Sequence, residues 1–337
     1  MGKLMQKFSN PKVTGSTAGK DADLKGRALD EAEKYLNARL EIENKYEYDY
    51  VELNDSYKQQ LQQIENVIAK NKKEGYETKI DDFLRGSSIY ADAVRRAVRS
   101  KADIEQSFKQ KWNELSKNKN AAINKLNEEC LFDVFDSEDK LKPYYDKELR
   151  IYLLPHNSLL FDCGEDNIVA KGSLAVVGKL EQNTRHCGEG GSAIEVFETT
   201  QRAKGGRKEA RDDLVIIVSS PTYNSININE GSLTARDGSV YVKSKRGDIT
   251  IEDCKVESGG GLVIDGNVIT IRRDTINVKN DIVINSPCSD NEAVKLMINK
   301  ITVGGEIKGS AVVSDRPSFY QNGNEVSSLD KDVVTWQ

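Results

Sequence analysis

The sequence predicts an α+β multidomain protein: an N-terminal long helical, coiled-coil hairpin followed by a C-terminal all-β domain, read as a parallel β-solenoid. Three observations predict it. From about Ala22 to Cys130 apolar residues recur every three or four positions, the period of an amphipathic helix. From about Asp213 to Asn285 they come instead in short alternating runs broken by Gly, Asp and Asn, the signature of strands and turns. No proline stands between Pro11 and Pro143, so nothing in the first half forbids long helices.

The composition sets the bounds. A chain of 337 residues with 37% hydrophobic content has enough apolar surface for at least one proper core. Its 49 basic and 54 acidic side chains nearly cancel to a net charge of -5, which implies neither a nucleic-acid footprint nor an acidic tail. Cys130, Cys163, Cys187, Cys254 and Cys288 are an odd, widely spaced set without a CxxC, and they read as reduced, mostly buried thiols. The N-terminus carries no apolar run suited to a signal segment, and no stretch reaches the length of a membrane helix. Gly2 is followed by Gln6 rather than Ser or Thr, a poor match to a myristoylation signal. The expected location is cytoplasmic, or a virion if the gene is a phage's.

Residues 1–20 are small and polar and read as a flexible leader. The helical hairpin is assigned to 21–130. Leu29, Ala32 and Leu36 open a stripe that resumes as Tyr46, Tyr50, Leu53, Tyr57, Leu61, Ile64 and Ile68. A break is expected at 71–75, where charge, Asn and Gly cluster. A second helix is expected from about Thr78 or Ile80, with Leu84, Ala91, Val94, Val98, Ile104, Phe108, Trp112, Leu115, Ala122 and Leu126 on its apolar side, and with an interruption or kink expected at Gly86-Ser87-Ser88. Two such helices close as an antiparallel hairpin or pair between chains. Tyr46, Tyr50, Leu53, Tyr57, Leu61, Ile64, Phe108 and Trp112 are the candidate interaction residues, because aromatic side chains suit a contact surface. The basic run from Arg95 to Lys101 faces an acidic neighbour, so ion pairing or solvation accounts for it better than nucleic acid does.

Residues 131–148 read as a linker, with aromatics beside Pro143 packed on the following domain. Residues 149–212 are expected to be a β-rich lead-in ending in a polar surface loop from Gln182 to Asp212 around the short strand 193–197. From 213 to 286 strands of about four residues arrive roughly every seven positions, so that three make a coil of about 20 residues, the step of a solenoid. The tail 287–337 lacks that repetition and is expected to cap the end. The run from Gly238 to Asp253, turn, strand, basic-Gly turn, strand, resembles bacterial β-solenoid families such as bactofilin-like polymers and adhesin-like solenoids. That likeness covers about 70 residues and carries over no residue roles.

Candidate chemistry is sparse. His156, Cys163, His186 and Cys187 have metal-ligand side chains without a recognised zinc spacing, so no metal is expected. The Gly-rich segment from Cys187 to Ser192 lacks the Lys-Ser/Thr of a phosphate loop, and no nucleophile elbow occurs. Asp248, Glu252, Asp253 and Asp265 are the carboxylates that a β-helix glycosidase would need. No cofactor is expected. The expected role is therefore a non-enzymatic structural or assembly subunit whose helical arm docks on copies of itself or on other assembly subunits. A ligand- or surface-binding module and a β-helix carbohydrate-active enzyme are the alternatives.

Overall fold

The computed structural model describes residues 23–77, 89–161, 167–177, 191–197, 206–218, 223–245, 247–287, 294–297, 299–309, 318–321, 324–326 and 334–335. The leader and the segment holding Gly86-Ser87-Ser88 lie outside them. The chain forms two units, Met1–Leu36 with Glu129–Gln337, and Asn37–Glu128.

The larger unit is a parallel β-solenoid with three faces. Among the described residues face A has nine strands, face B ten and face C five. Strands of one face pair in parallel with those of the next coil, and alternation within each strand sends every second side chain inward. On face C the inward columns are Ile226, Ile249, Ile269, Val294 and Ile228, Ile251, Ile271, Leu296. Face B contributes Leu233, Val256, Ile276 and Ile301. Face A contributes Leu214, Val240, Leu262, Ile282 and Ile307. All belong to one buried cluster, and each such side chain contributes roughly 1.5–3 kcal/mol by leaving water. The most regular coil repeats as the sequence predicts: Ile249 pairs with Ile269, Lys255 with Thr275 and Leu262 with Ile282, a step of 20 on all three faces.

Three expectations about the solenoid unit are corrected. Residues 131–148 are not a linker: Asp133–Phe135 is the first strand of face A, paired with Ser158–Leu160. The short helix Glu138–Leu141 follows it, and Phe135 meets Tyr144 edge-on at 5.3 Å. The segment 182–212 is not one loop, because Arg207–Ala210 is a strand of face B with Lys208 fully buried in the inward column between Ile168 and Leu233. Charge disguised it. The tail from 287 is not all cap, since Val294–Met297, Lys300–Val303 and Ile307–Gly309 build a further coil on all three faces. Inserted residues lengthen its step to 25, which hides the repeat.

Face B ends in an antiparallel hairpin at both extremities, Tyr145–Asp146 with Ile151–Leu154, and Ser318–Gln321 with Asn324–Val326. Reversing direction ends parallel growth of that face, one remedy for an exposed sheet edge.

The smaller unit is an antiparallel helix pair. Helix α1 spans Ala28–Glu77 and α2 spans Ile89–Glu129. The break expected at 71–75 is absent: α1 runs through Gly75, because one glycine costs only about 1 kcal/mol in a helix. Tyr50 meets Trp112 at 4.4 Å, Tyr57 stacks on Phe108 at 4.2 Å, and Glu65 pairs with Lys101 at 3.1 Å. Residue numbers rise on one helix as they fall on the other.

Coil-to-coil spacing at the corners leaves no room for side chains at some glycines. A Cβ on Gly259 would overlap the carbonyl of Arg236 in the coil before. Gly259→Ala is therefore expected to destabilise the solenoid by about 1–3 kcal/mol in chemical denaturation, the usual cost of overpacking.

Candidate functional site

The corners of the solenoid are built from short polar side chains that reach one coil forward. At the corner between faces B and A, Asn157 Oδ1 accepts the N–H of Ser173 at 2.8 Å, and Ser173 Oγ accepts that of Asp213 at 3.3 Å. Asp213 Oδ1 accepts the N–H of Ser239 at 2.8 Å, and Ser239 Oγ that of Gly261 at 2.9 Å. Asp281 repeats the contact with Glu306 at 2.9 Å. Each bond satisfies a turn amide that the sheets leave unpaired.

Asp213 does more than its neighbours in this ladder. Its Oδ2 accepts the N–H of Gly26 at 2.5 Å, and the N–H of Ala28 also reaches the carboxylate. A solenoid residue thus caps the first turn of α1, in place of a local Ser or Asp. Burial pushes its carboxyl above the ordinary range, against the pull of these three amides. On either side of the cap, Leu24, Ala28, Ala32, Tyr35 and Leu36 form a buried stripe. Glu33 pairs with Lys243 on face A at 2.7 Å, and the rings of Tyr35 and Phe161 lie 6.3 Å apart. These anchors lay the stripe over the outward side of face A. There Leu159, Ala175, Val215 and Ile217 are buried although their strand positions point away from the core. That explains why Leu174–Val177 and Leu214–Val218 are apolar at every position.

The candidate interaction residues of the hairpin fall on its seam. Tyr46, Tyr50, Leu53, Tyr57, Leu61, Ile64 and Phe108 are half-buried, and Trp112 is 39% exposed. Tyr50, Tyr57, Phe108 and Trp112 meet one another within the chain, and the Tyr50 hydroxyl hydrogen-bonds Ser116 at 2.7 Å. Among the described residues of that unit only Ala97 is buried. The run from Arg95 to Lys101 is divided: Arg95 pairs with Asp92 on its own helix and Lys101 with Glu65 across the seam.

The four carboxylates are on the solenoid but each is engaged. Asp248 accepts the N–H of Val268 at 3.0 Å. Arg273 bridges Glu252 and Asp253, which holds the Asp253 carboxyl below its usual range, and Asp265 lies 3.8 Å from Lys243. Of the metal candidates, His156 sits half-buried at a corner, while Cys163, His186 and Cys187 lie outside the described residues. Among the described residues no cluster of His, Cys, Asp and Glu is arranged to hold a metal ion.

A second ladder, between faces C and B, was not legible in the sequence. Cys254 Sγ accepts the N–H of Gly231, Asp274 Oδ1 accepts that of Cys254 at 2.6 Å, and Asn299 Oδ1 that of Asp274 at 2.9 Å. On the same corner Glu230, Asp253 and Arg273 all take left-handed backbone, with φ of 51°, 55° and 57°. Burial raises the Cys254 thiol to about 12, which makes it inert at neutral pH.

No protein-family model, no curated protein and no solved structure matches this chain.

Burial also raises Asp274, to about 7, with the Asp253 and Glu252 charges adding to the effect and the amides of Cys254 and Arg272 opposing it. The folded chain then holds a proton that the unfolded chain releases near 3.8. Stability from this group is fully present below about pH 4 and lost as pH rises to about 7, on the order of 4 kcal/mol across the window. Asp274→Asn keeps an acceptor for Cys254, as Asn299 does one coil on, and is expected to remove that slope. Urea midpoints between pH 4 and 8 check it.

Proposed function

We propose that this chain is a non-enzymatic structural subunit of a larger assembly, in which the helical hairpin is the docking arm and the solenoid is the body. The observation that carries this reading is the root of α1. The helix that supplies half of the hairpin begins as a capped, buried element of the solenoid, held by Asp213, Lys243 and Phe161. Such an attachment fits an arm that passes load to a body. The hairpin itself has little interior, with Ala97 alone buried among its described residues, and Tyr48, Val51, Val67 and Val98 stand about half exposed or more. A helix pair with so little core gains stability from a partner.

The partner is a second copy of the chain or another assembly subunit, in a virion or tail or in an intracellular scaffold. Among the described residues no helix is long and apolar enough to cross a membrane. The glycosidase alternative is weakened by the occupation of its carboxylates: Glu252 and Asp253 are tied to Arg273, and a general acid or nucleophile needs a carboxyl free to meet substrate.

Light scattering across a concentration series tests the assignment. A variant in which 37–128 is replaced by a short Gly-Ser loop keeps the Leu24–Leu36 stripe over face A and removes only the arm. The full chain is expected to gain mass with concentration and the loop variant to stay monomeric. Equal assembly by both would move the role to the solenoid, and monomers in both would overturn self-assembly.

A further inference from the structure

Face B carries a shallow groove of about 590 Å³ lined by Arg207, Glu209, Ser232, Thr234, Arg236 and Lys255, with Glu257 and Asn277 at its far end. Its floor is Glu209, whose side chain is 3% exposed and pairs with both Arg207 and Arg236. Those two arginines come from consecutive coils, and their side chains are 43% and 40% exposed. A buried carboxylate therefore holds two forks in place, and each fork has five donors, more than one shared carboxylate accepts. Immobilised donors lose little entropy when a ligand arrives.

We infer that this groove binds an acidic polysaccharide lying along the solenoid axis, with its carboxylates on Arg207, Arg236 and Lys255. Four features select that chemistry. First, the lining side chains are mostly polar, with Ser232, Thr234 and Asn277 offering hydroxyl and amide partners to sugar hydroxyls and Ala235 an apolar contact. Second, three cations face two carboxylates: Glu209 lies beneath the two arginines, out of reach of a ligand, and Glu257 pairs with Lys255 at 2.7 Å in a solvent-open contact that a ligand carboxylate can replace. Third, the cations are spaced. Outward positions of face B stack as Arg207, Ser232, Lys255, Thr275 and Lys300, so a cation returns at every second coil, roughly every 10 Å. The neighbouring column runs Glu209, Thr234, Glu257, Asn277 and Thr302. Fourth, that charge density is wrong for nucleic acid: duplex DNA carries a charge about every 1.7 Å. A sugar chain with one carboxylate per disaccharide presents sparse anions separated by hydroxyls, which matches the spaced cations of the first column and the Thr234 and Asn277 side chains of the second.

Titration calorimetry of the full chain with hyaluronan decasaccharide tests the inference. Binding is expected to weaken as salt rises, and Arg236→Gln and Lys255→Gln are each expected to weaken it tenfold or more. Lys279→Gln, which removes an exposed corner cation outside the groove, is expected to leave it unchanged. Lys255 is 55% exposed, so its variant keeps the test decisive if Arg236→Gln fails to fold, and thermal midpoints identify that case. No binding of hyaluronan, equal binding of neutral dextran, equal or tighter binding of duplex DNA, or an equal loss in Lys279→Gln would each overturn it.

Discussion

Much of this structure depends on one carboxylate. Asp213 stands at a solenoid corner where coils are joined by single hydrogen bonds from short side chains, and its second oxygen is turned outward to the start of α1. Each of its contacts answers the same physical demand, that a buried N–H have an acceptor. Ser239 in the next coil has no ladder partner for its amide, and the first turn of α1 has no intrahelical acceptor for its amides. One residue meets both, so the place where the arm joins the body is also a link in the body's own stacking.

The outer side of face A follows from this. A parallel solenoid ordinarily alternates apolar in and polar out, as Ile249–Glu252 and Ile269–Arg272 do. Under the root of α1 the alternation disappears, because Val215 and Ile217 are covered from outside as Leu214 and Ile216 are covered from inside. Later coils return to polar outward residues such as Tyr241, Lys243 and Asp265, and the last two of these are already partnered by charge. The solenoid thus changes from a two-sided core near its start to a one-sided core further on. Among the described residues Gly191–Phe197 is the first strand of face C. The polar outward columns of face B then run along coils whose cores are already complete. Ligand contacts there would disturb no packing.

How much of this was legible depended on whether local pattern and long-range pattern agreed. At Ile249-Thr250-Ile251-Glu252 the alternation, the turn residues and the 20-residue step all say strand, and the structure agrees. The helical period from Tyr46 to Ile68 was equally plain, since a half-buried stripe every three or four residues has no other reading. Arg207-Lys208-Glu209-Ala210 was illegible because a lysine in an inward column contradicts its neighbours, and only parallel pairing to Ile168 and Leu233 places it. The coil at 294–309 was hidden by five extra residues in its step, and Asp133–Phe135 by its brevity. The all-apolar runs at 174–177 and 214–218 were read as strands, but nothing local announced a helix lying on them. Leu24, Ala28 and Tyr35 were not assigned to the stripe, because the contacts that bury them are more than a hundred residues away. Asp213 itself looks like any aspartate at a turn.

Amide exchange in Asp213→Asn tests the central claim most directly. Asparagine offers one carbonyl oxygen where aspartate offers two, and its amino group meets an N–H without accepting it. Loss of a helix cap is worth about 1 kcal/mol, so amides over Leu24–Leu36 should exchange roughly fivefold faster while the sheet amides of the neighbouring coils keep their protection. Unchanged exchange over Leu24–Leu36 would contradict the account, and would mean that the root of the arm is held by its apolar stripe alone.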